Sequence, residues 1–163
     1  MRRQRPPLRS VGAVASVGLL LTTTSCSGAV EVDAPTLSGD SAQSCRQLVD
    51  ALPDKVADQS REEVEPKDAY AAAWGHPAIV LRCGVPKAKG FDRFALCQVT
   101  NGVGWFIPES QQTGQPVPVT MTTVGRAQNV EVTIPEEYFP PANAMVDLAP
   151  AIKQTILEVE PCV

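Results

Sequence analysis

A single histidine, His76, among 163 residues leaves little from which to build a zinc site. Zinc takes several His, Cys or carboxylate ligands at fixed spacing. The acids of REEVEPKD (61–68) are dense but miss the spacing of a calcium loop, and they read as a solvated charged edge. No G-x-S-x-G occurs, so there is no nucleophile elbow. Gly102-Val103-Gly104 runs into Trp105 rather than into a helix, so it does not cradle phosphate. Aromatics make up only 5% of the chain, and no basic stripe interleaves with them. These absences argue against a metal, a cofactor and a nucleic-acid partner.

Long apolar runs are also missing. The longest, residues 11–24, has 14 residues, short of the roughly 20 that span a bilayer. It follows Arg2, Arg3, Arg5 and Arg9 and precedes small residues, the pattern of a secretory signal peptide. Two cleavage sites compete. Cleavage before Cys26 leaves a bacterial lipoprotein whose cysteine carries diacylglycerol and palmitate, although Thr23 stands where Leu is usual. Cleavage after Ser27-Gly28-Ala29 discards Cys26 and releases a secreted chain from Val30. The first places the protein on the outer face of the cell membrane, held by Cys26.

Either cut leaves four cysteines, Cys45, Cys83, Cys97 and Cys162, enough for two disulfides in an oxidising compartment. Three connectivities are open. Cys83–Cys97 with Cys45–Cys162 is the expected set, because Cys83 and Cys97 read as strand residues on either side of a loop containing Gly84, Pro86 and Gly90.

Charge follows the same division. Four of the 14 basic residues belong to the signal, so the mature chain sets 10 against 18 acids and carries −8. Such a surface is repelled by phosphate backbones and by anionic headgroups. Attachment to the membrane then depends on the lipid at Cys26.

The chain divides into a signal (1–25), a small, polar, Pro-containing tether (26–40) and one domain (41–163), long enough for a real core. Asp40-Ser41-Ala42-Gln43 has capping-box spacing. Cys45, Leu48, Val49 and Leu52 fall on one helical face, ended by Pro53. The middle alternates with the period of strands: AIVLRC (78–83), FALCQV (94–99), VGWFI (103–107), a stretch through Val117, Val119, Met121 and Thr123, and one through Val130, Val132 and Ile134. Asn101-Gly102 is a two-residue hairpin signal, and it places Trp105 across from Gln98. A second turn falls at Gly125-Arg126. After Pro140-Pro141, the stripe Met145, Leu148, Ala149, Ile152, Ile156 marks a second helix, which Pro150 should kink or split. Strands in a run between two helices predict an α+β fold: an antiparallel sheet with the N-terminal and C-terminal helices on one face, braced by two disulfides.

At WGHPAIVLRCGVP (74–86), CQVTNGVGWFIPE (97–109) and TTVGRAQNVEVTIPEEY (122–138) the chain resembles the small exported actinobacterial proteins of domain-of-unknown-function family 3515. The features are Cys-Gly-Val-Pro, the Asn-Gly-Val-x-Trp hairpin, the Gly-Arg turn and the terminal cysteine. The resemblance implies an envelope location and no particular chemistry.

Four residues stand out as binding candidates. Trp105 and Trp74 could present a flat apolar platform to sugar or peptide, or be packed beneath a helix. Arg126, like Arg82, could clamp an anion or simply be solvated. His76, in Trp74-Gly75-His76-Pro77, is a general base only beside a nucleophile and an orienting acid; its plainer reading is an exposed turn residue. The function expected is a non-enzymatic envelope lipoprotein that binds an envelope protein or a cell-wall component. The alternative is an envelope hydrolase whose site assembles from residues distant in sequence.

Overall fold

The computed structural model describes residues 28–92 and 94–162. The signal peptide and Cys26 lie outside them. Two helices and ten strands follow in chain order: β1 (Val30–Glu31), α1 (Gly39–Ala51), β2 (Lys55–Val56), β3 (Gln59–Glu62), β4 (Val64–Glu65), β5 (Ala71–Trp74), β6 (Ile79–Cys83), β7 (Gln98–Thr100), β8 (Val103–Phe106), β9 (Val119–Val124), β10 (Val130–Ile134) and α2 (Ala142–Thr155). Eight strands form one antiparallel sheet in the order β2-β3-β5-β6-β10-β9-β8-β7. β1 and β4 pair separately, in parallel. The fold is α+β.

Register explains the core. In β6, β10 and β9 the facing residues Leu81, Val132 and Met121 line up across the sheet, as do Cys83 with Val130 and Ile134 with Val119. All are buried, and they meet Leu48 of α1 and Met145, Leu148 and Ile152 of α2. Strand alternation puts every second side chain on this helix-covered face, and the helical stripes supply the opposing layer. The expected stripe on α2 is buried along its whole length. Pro150 does not split α2, which is continuous from Ala142 to Thr155. Its missing N–H lies opposite the carbonyl of Val146. Both residues are on the exposed side of the helix, where water can take that bond.

Several local expectations need correction. α1 begins at Gly39 with Ser38 as N-cap, and no side chain caps it, so the capping box at Asp40 does not form. Asp40 already lies in the first turn, where its carbonyl accepts from the Ser44 hydroxyl. The strand expected at 94–99 is real only from Gln98. Two hairpin elements were not legible in the sequence. The β2–β3 turn uses Ala57 and Asp58, both at positive φ, without the usual Asn-Gly signal. β5 is Ala-Ala-Ala-Trp, which has no β-branched residue. Of the stretch 26–40, Val30 donates to the Glu63 carbonyl and Val32 to that of Glu65, so this backbone is already paired with the domain.

The disulfides are Cys45–Cys83 and Cys97–Cys162, not the expected set. The sheet order is the reason. β10, β9 and β8 stand between β6 and β7, so Cys83 and Cys97 are separated by four strand spacings, about 19 Å. A disulfide needs Cα atoms within about 7 Å. Cys45 instead sits over the end of β6, with its Cα 5.5 Å from that of Cys83. Cys162 reaches Cys97 with a Cα separation of 6.2 Å. The bridges close spans of 38 and 65 residues, each worth about 4 kcal/mol in the chain-entropy model.

A non-reducing peptide map is expected to join Cys45 to Cys83 and Cys97 to Cys162; a Cys83–Cys97 peptide would refute this topology. Leu148→Ala, at a position with no exposed surface, is expected to lower the unfolding free energy by about 2–5 kcal/mol in urea titration.

Candidate functional site

The four candidates do not converge. Trp74 and Trp105 are both fully buried on the helix-covered face. The Trp74 indole N–H donates to the Pro53 carbonyl at 3.0 Å, and the Arg61 guanidinium lies 5.7 Å from the ring. That guanidinium also donates to the carbonyls of Val49 and Leu52, so it closes the C-terminal end of α1. Trp105 does pair with Gln98 across the hairpin. Of its two readings, packing under a helix is the one observed, and neither indole is a surface platform.

His76 stands in solvent, its Nε2 3.4 Å from Glu62 Oε2. Beside it, Tyr138 is hydrogen-bonded to the His76 backbone. Desolvation, with the negative charge of Glu137, pushes the Tyr138 phenol above its usual 10.0.

Arg126 is neither solvated nor free to clamp an anion. Its side chain is 4% exposed. Nη1 donates to the Ile156 carbonyl at 3.1 Å and Nη2 to the Gly102 carbonyl at 2.7 Å. Nη2 also pairs with Glu158 Oε2 at 3.0 Å. One planar fork therefore joins the β9–β10 turn, the β7–β8 turn and the chain leaving α2. Backbone bonds continue the seam: Ala127 donates to Leu157, and both Val159 and Glu160 donate to Gly125. Gly125 has φ +69°, and a Cβ there would overlap the Glu160 carbonyl. Arg82 lies on the sheet's second face, where it pairs with Glu131 and donates to the Asp33 carbonyl at 2.8 Å.

That second face carries the concavity best defined by the fold. Phe106 and Thr122 face each other across β8 and β9, with Val124 on the same side of the sheet. Together they floor a cleft of about 350 Å³. One wall is the connection from β6 to β7, residues 84–97, which must cross this face to reach the far edge of the sheet. Phe91 anchors it, edge-on to Phe106 at 5.2 Å, with Lys87 4.7 Å above the Phe91 ring. The other wall is the tail from Val159 to Cys162. The Cys97–Cys162 bridge ties the two walls together. Cys162 packs on Gly104, where an added Cβ would come 2.6 Å from Cys162 Cβ. Among the lining residues Lys87 stands with Asp92 and Glu160, while the Arg126 charge is paired with Glu158.

Around the same bridge the surface turns apolar. Leu96, Val99, Leu157 and Val159 are 82, 60, 71 and 62% exposed, and Phe94 is 81% exposed. All five lie within five residues of Cys97 or Cys162. Of the six large hydrophobics exposed among the described residues, only Val146 lies elsewhere. The sequence reading of FALCQV as a strand did not show this surface, because the strand begins only at Gln98 and leaves Phe94 and Leu96 in irregular chain. Among the described residues, no three His, Cys, Asp or Glu side chains are grouped to hold a metal ion. No helix among them is long and apolar enough to cross a membrane.

The structure defines a class, the small two-disulfide α+β domain with both helices on one face of an antiparallel sheet. Within that class the chain belongs to the family described as "Protein of unknown function (DUF3515)", whose model matches residues 7–161. No curated protein and no solved structure matches it.

Arg126→Ala is expected to cost about 2–3 kcal/mol, because it strips the donors from the Ile156 and Gly102 carbonyls. Glu158→Gln, at a half-exposed partner, should cost under about 1 kcal/mol. Equal losses in chemical denaturation would contradict a clamp built on the two carbonyls. For Tyr138 the folded pKa is raised, so its stabilising contribution is present below pH 10 and is lost as pH rises through the higher folded value. Subtracting the ultraviolet titration of Tyr138→Phe from that of the parent chain should give a midpoint above 10.

Proposed function

We propose that the protein is an exported envelope lipoprotein, anchored through Cys26, whose domain acts without catalysis as a docking module for an envelope protein. The observation that carries this reading is the cluster of exposed apolar side chains around Cys97–Cys162. Exposed apolar surface gathered near one bridge, where five of the six exposed large hydrophobics among the described residues lie, is the usual mark of a protein contact. The basic opening, the short apolar run and the small residues before Cys26 support export. Two disulfides fit an oxidising compartment. A hydrolase built around His76 has less support: the ring stands in solvent and lines neither wall of the cleft.

The test is site-specific photo-crosslinking in native cells. A crosslinker at Leu96 or Val159 is expected to capture one envelope protein, and a crosslinker at Val146 is not. Leu96→Asp should abolish the capture while leaving thermal stability within about 0.5 kcal/mol of the parent, as for other exposed positions. Equal capture from all three positions, or from none, would count against a docking surface there.

A further inference from the structure

The two disulfides occupy opposite environments. Cys45 and Cys83 have no exposed surface and lie within the core cluster. Cys97 and Cys162 are partly exposed, each next to an exposed residue, Gln98 and Pro161. The second bridge joins a connection and a tail rather than two elements of the core. On the connection side, Phe91 donates to the Ala88 carbonyl, Phe94 to the Asp92 carboxylate and Ala95 to the Asp92 carbonyl, three short-range bonds. Among its ties to the sheet are the Gly84 N–H on the Asn129 carbonyl and the Asn129 amide on the Val85 carbonyl at its start, the Phe91–Phe106 contact in its middle and Cys97 at its end. On the tail side, Glu160 is still bonded to Gly125, but Pro161 has no N–H to give.

We propose that Cys97–Cys162 is a site of thiol–disulfide exchange, a latch that a dithiol reductant opens while Cys45–Cys83 stays closed. One thiolate of the reductant attacks a sulfur of the pair, the S–S bond breaks, and the departing cysteine takes a proton. The second thiol of the reductant then displaces the mixed disulfide, and the other cysteine takes a proton. The reductant leaves as its own disulfide, and the pair has gained two electrons and two protons. Access selects the pair, because a buried disulfide exchanges only from an opened state. Opening releases the 86–97 wall from the tail, which widens the cleft and frees Leu96 from its neighbour's bridge. This deepens the docking reading, since the latch lies at the centre of the apolar surface, but its chemistry can be tested with no partner present.

The mature chain, purified oxidised, is titrated with dithiothreitol, quenched with iodoacetamide and mapped by mass spectrometry. Cys97 and Cys162 should be alkylated at least about 100-fold faster than Cys45 and Cys83, the ratio expected when one pair reacts from the native state and the other only from an opened one. Hydrogen exchange in the partly reduced protein should rise across 86–97 and remain slow in β6 and β10. The double variant Cys97→Ala/Cys162→Ala should show the same exchange pattern with Cys45–Cys83 intact. Alkylation of all four cysteines together, or of none short of denaturation, would overturn the proposal. So would selective reduction that leaves exchange across 86–97 unchanged. Failure of the crosslinking experiment with selective reduction intact would remove the docking partner and keep the latch.

Discussion

A chain that leaves the sheet at β6 and returns at β7 must cross three strands it has not yet built. β8, β9 and β10 fill in behind it, each antiparallel to the last, until β10 closes against β6. The helices cover one face, so the crossing takes the other. Much of the surface depends on this one path. It gives the second face a wall, leaves a cleft beside it, and carries Cys97 to the far edge, beyond reach of Cys83. It also separates the two bridges by role. Cys45–Cys83 fastens a helix to the sheet, whereas Cys97–Cys162 fastens the crossing to the tail.

The tail needs its own fastening, because it leaves α2 without entering a strand. Arg126 provides it by donating to the buried Ile156 carbonyl and to the Gly102 carbonyl of the β7–β8 turn. Gly125 makes room for that approach, since any side chain there would meet the Glu160 carbonyl. A residue that sequence places in a polar turn is thus an internal strut. The same holds for Arg61, whose guanidinium spans the end of α1 and the face of Trp74. Burial lowers the Arg61 pKa, with Asp54 and Asp50 opposing the shift, and its donors are taken up by carbonyls. In this acidic chain, two of the cations brace the fold rather than stand free on its surface.

Three of the four binding candidates, Trp74, Trp105 and Arg126, are packed inside for one physical reason. Tryptophan and arginine are suited to recognition, but in a domain of about 120 residues with few aromatics they are also the largest pieces available for packing. Both tryptophans went inward. The apolar surface that remained outside came from Phe94, Leu96 and Val99, in or beside a stretch expected to be a strand, and from Leu157 and Val159 of the tail. The strand expected over 94–99 begins only at Gln98, and an edge strand of three residues does not bury its neighbours.

Sequence alone determined what local physics controls. Period-2 and period-3.6 patterns located β6, β8, β9, β10 and both helices, and Asn101-Gly102 set the β7–β8 hairpin because that turn requires two positive φ angles. The count of cysteines announced two bridges. Tertiary structure decided their partners, the fate of Arg126 and the tryptophans, and the place where apolar surface stays exposed. Those depend on strand order, and strand order is set by which faces can be buried together across the whole chain, a sum over distant contacts that no single stretch of sequence contains.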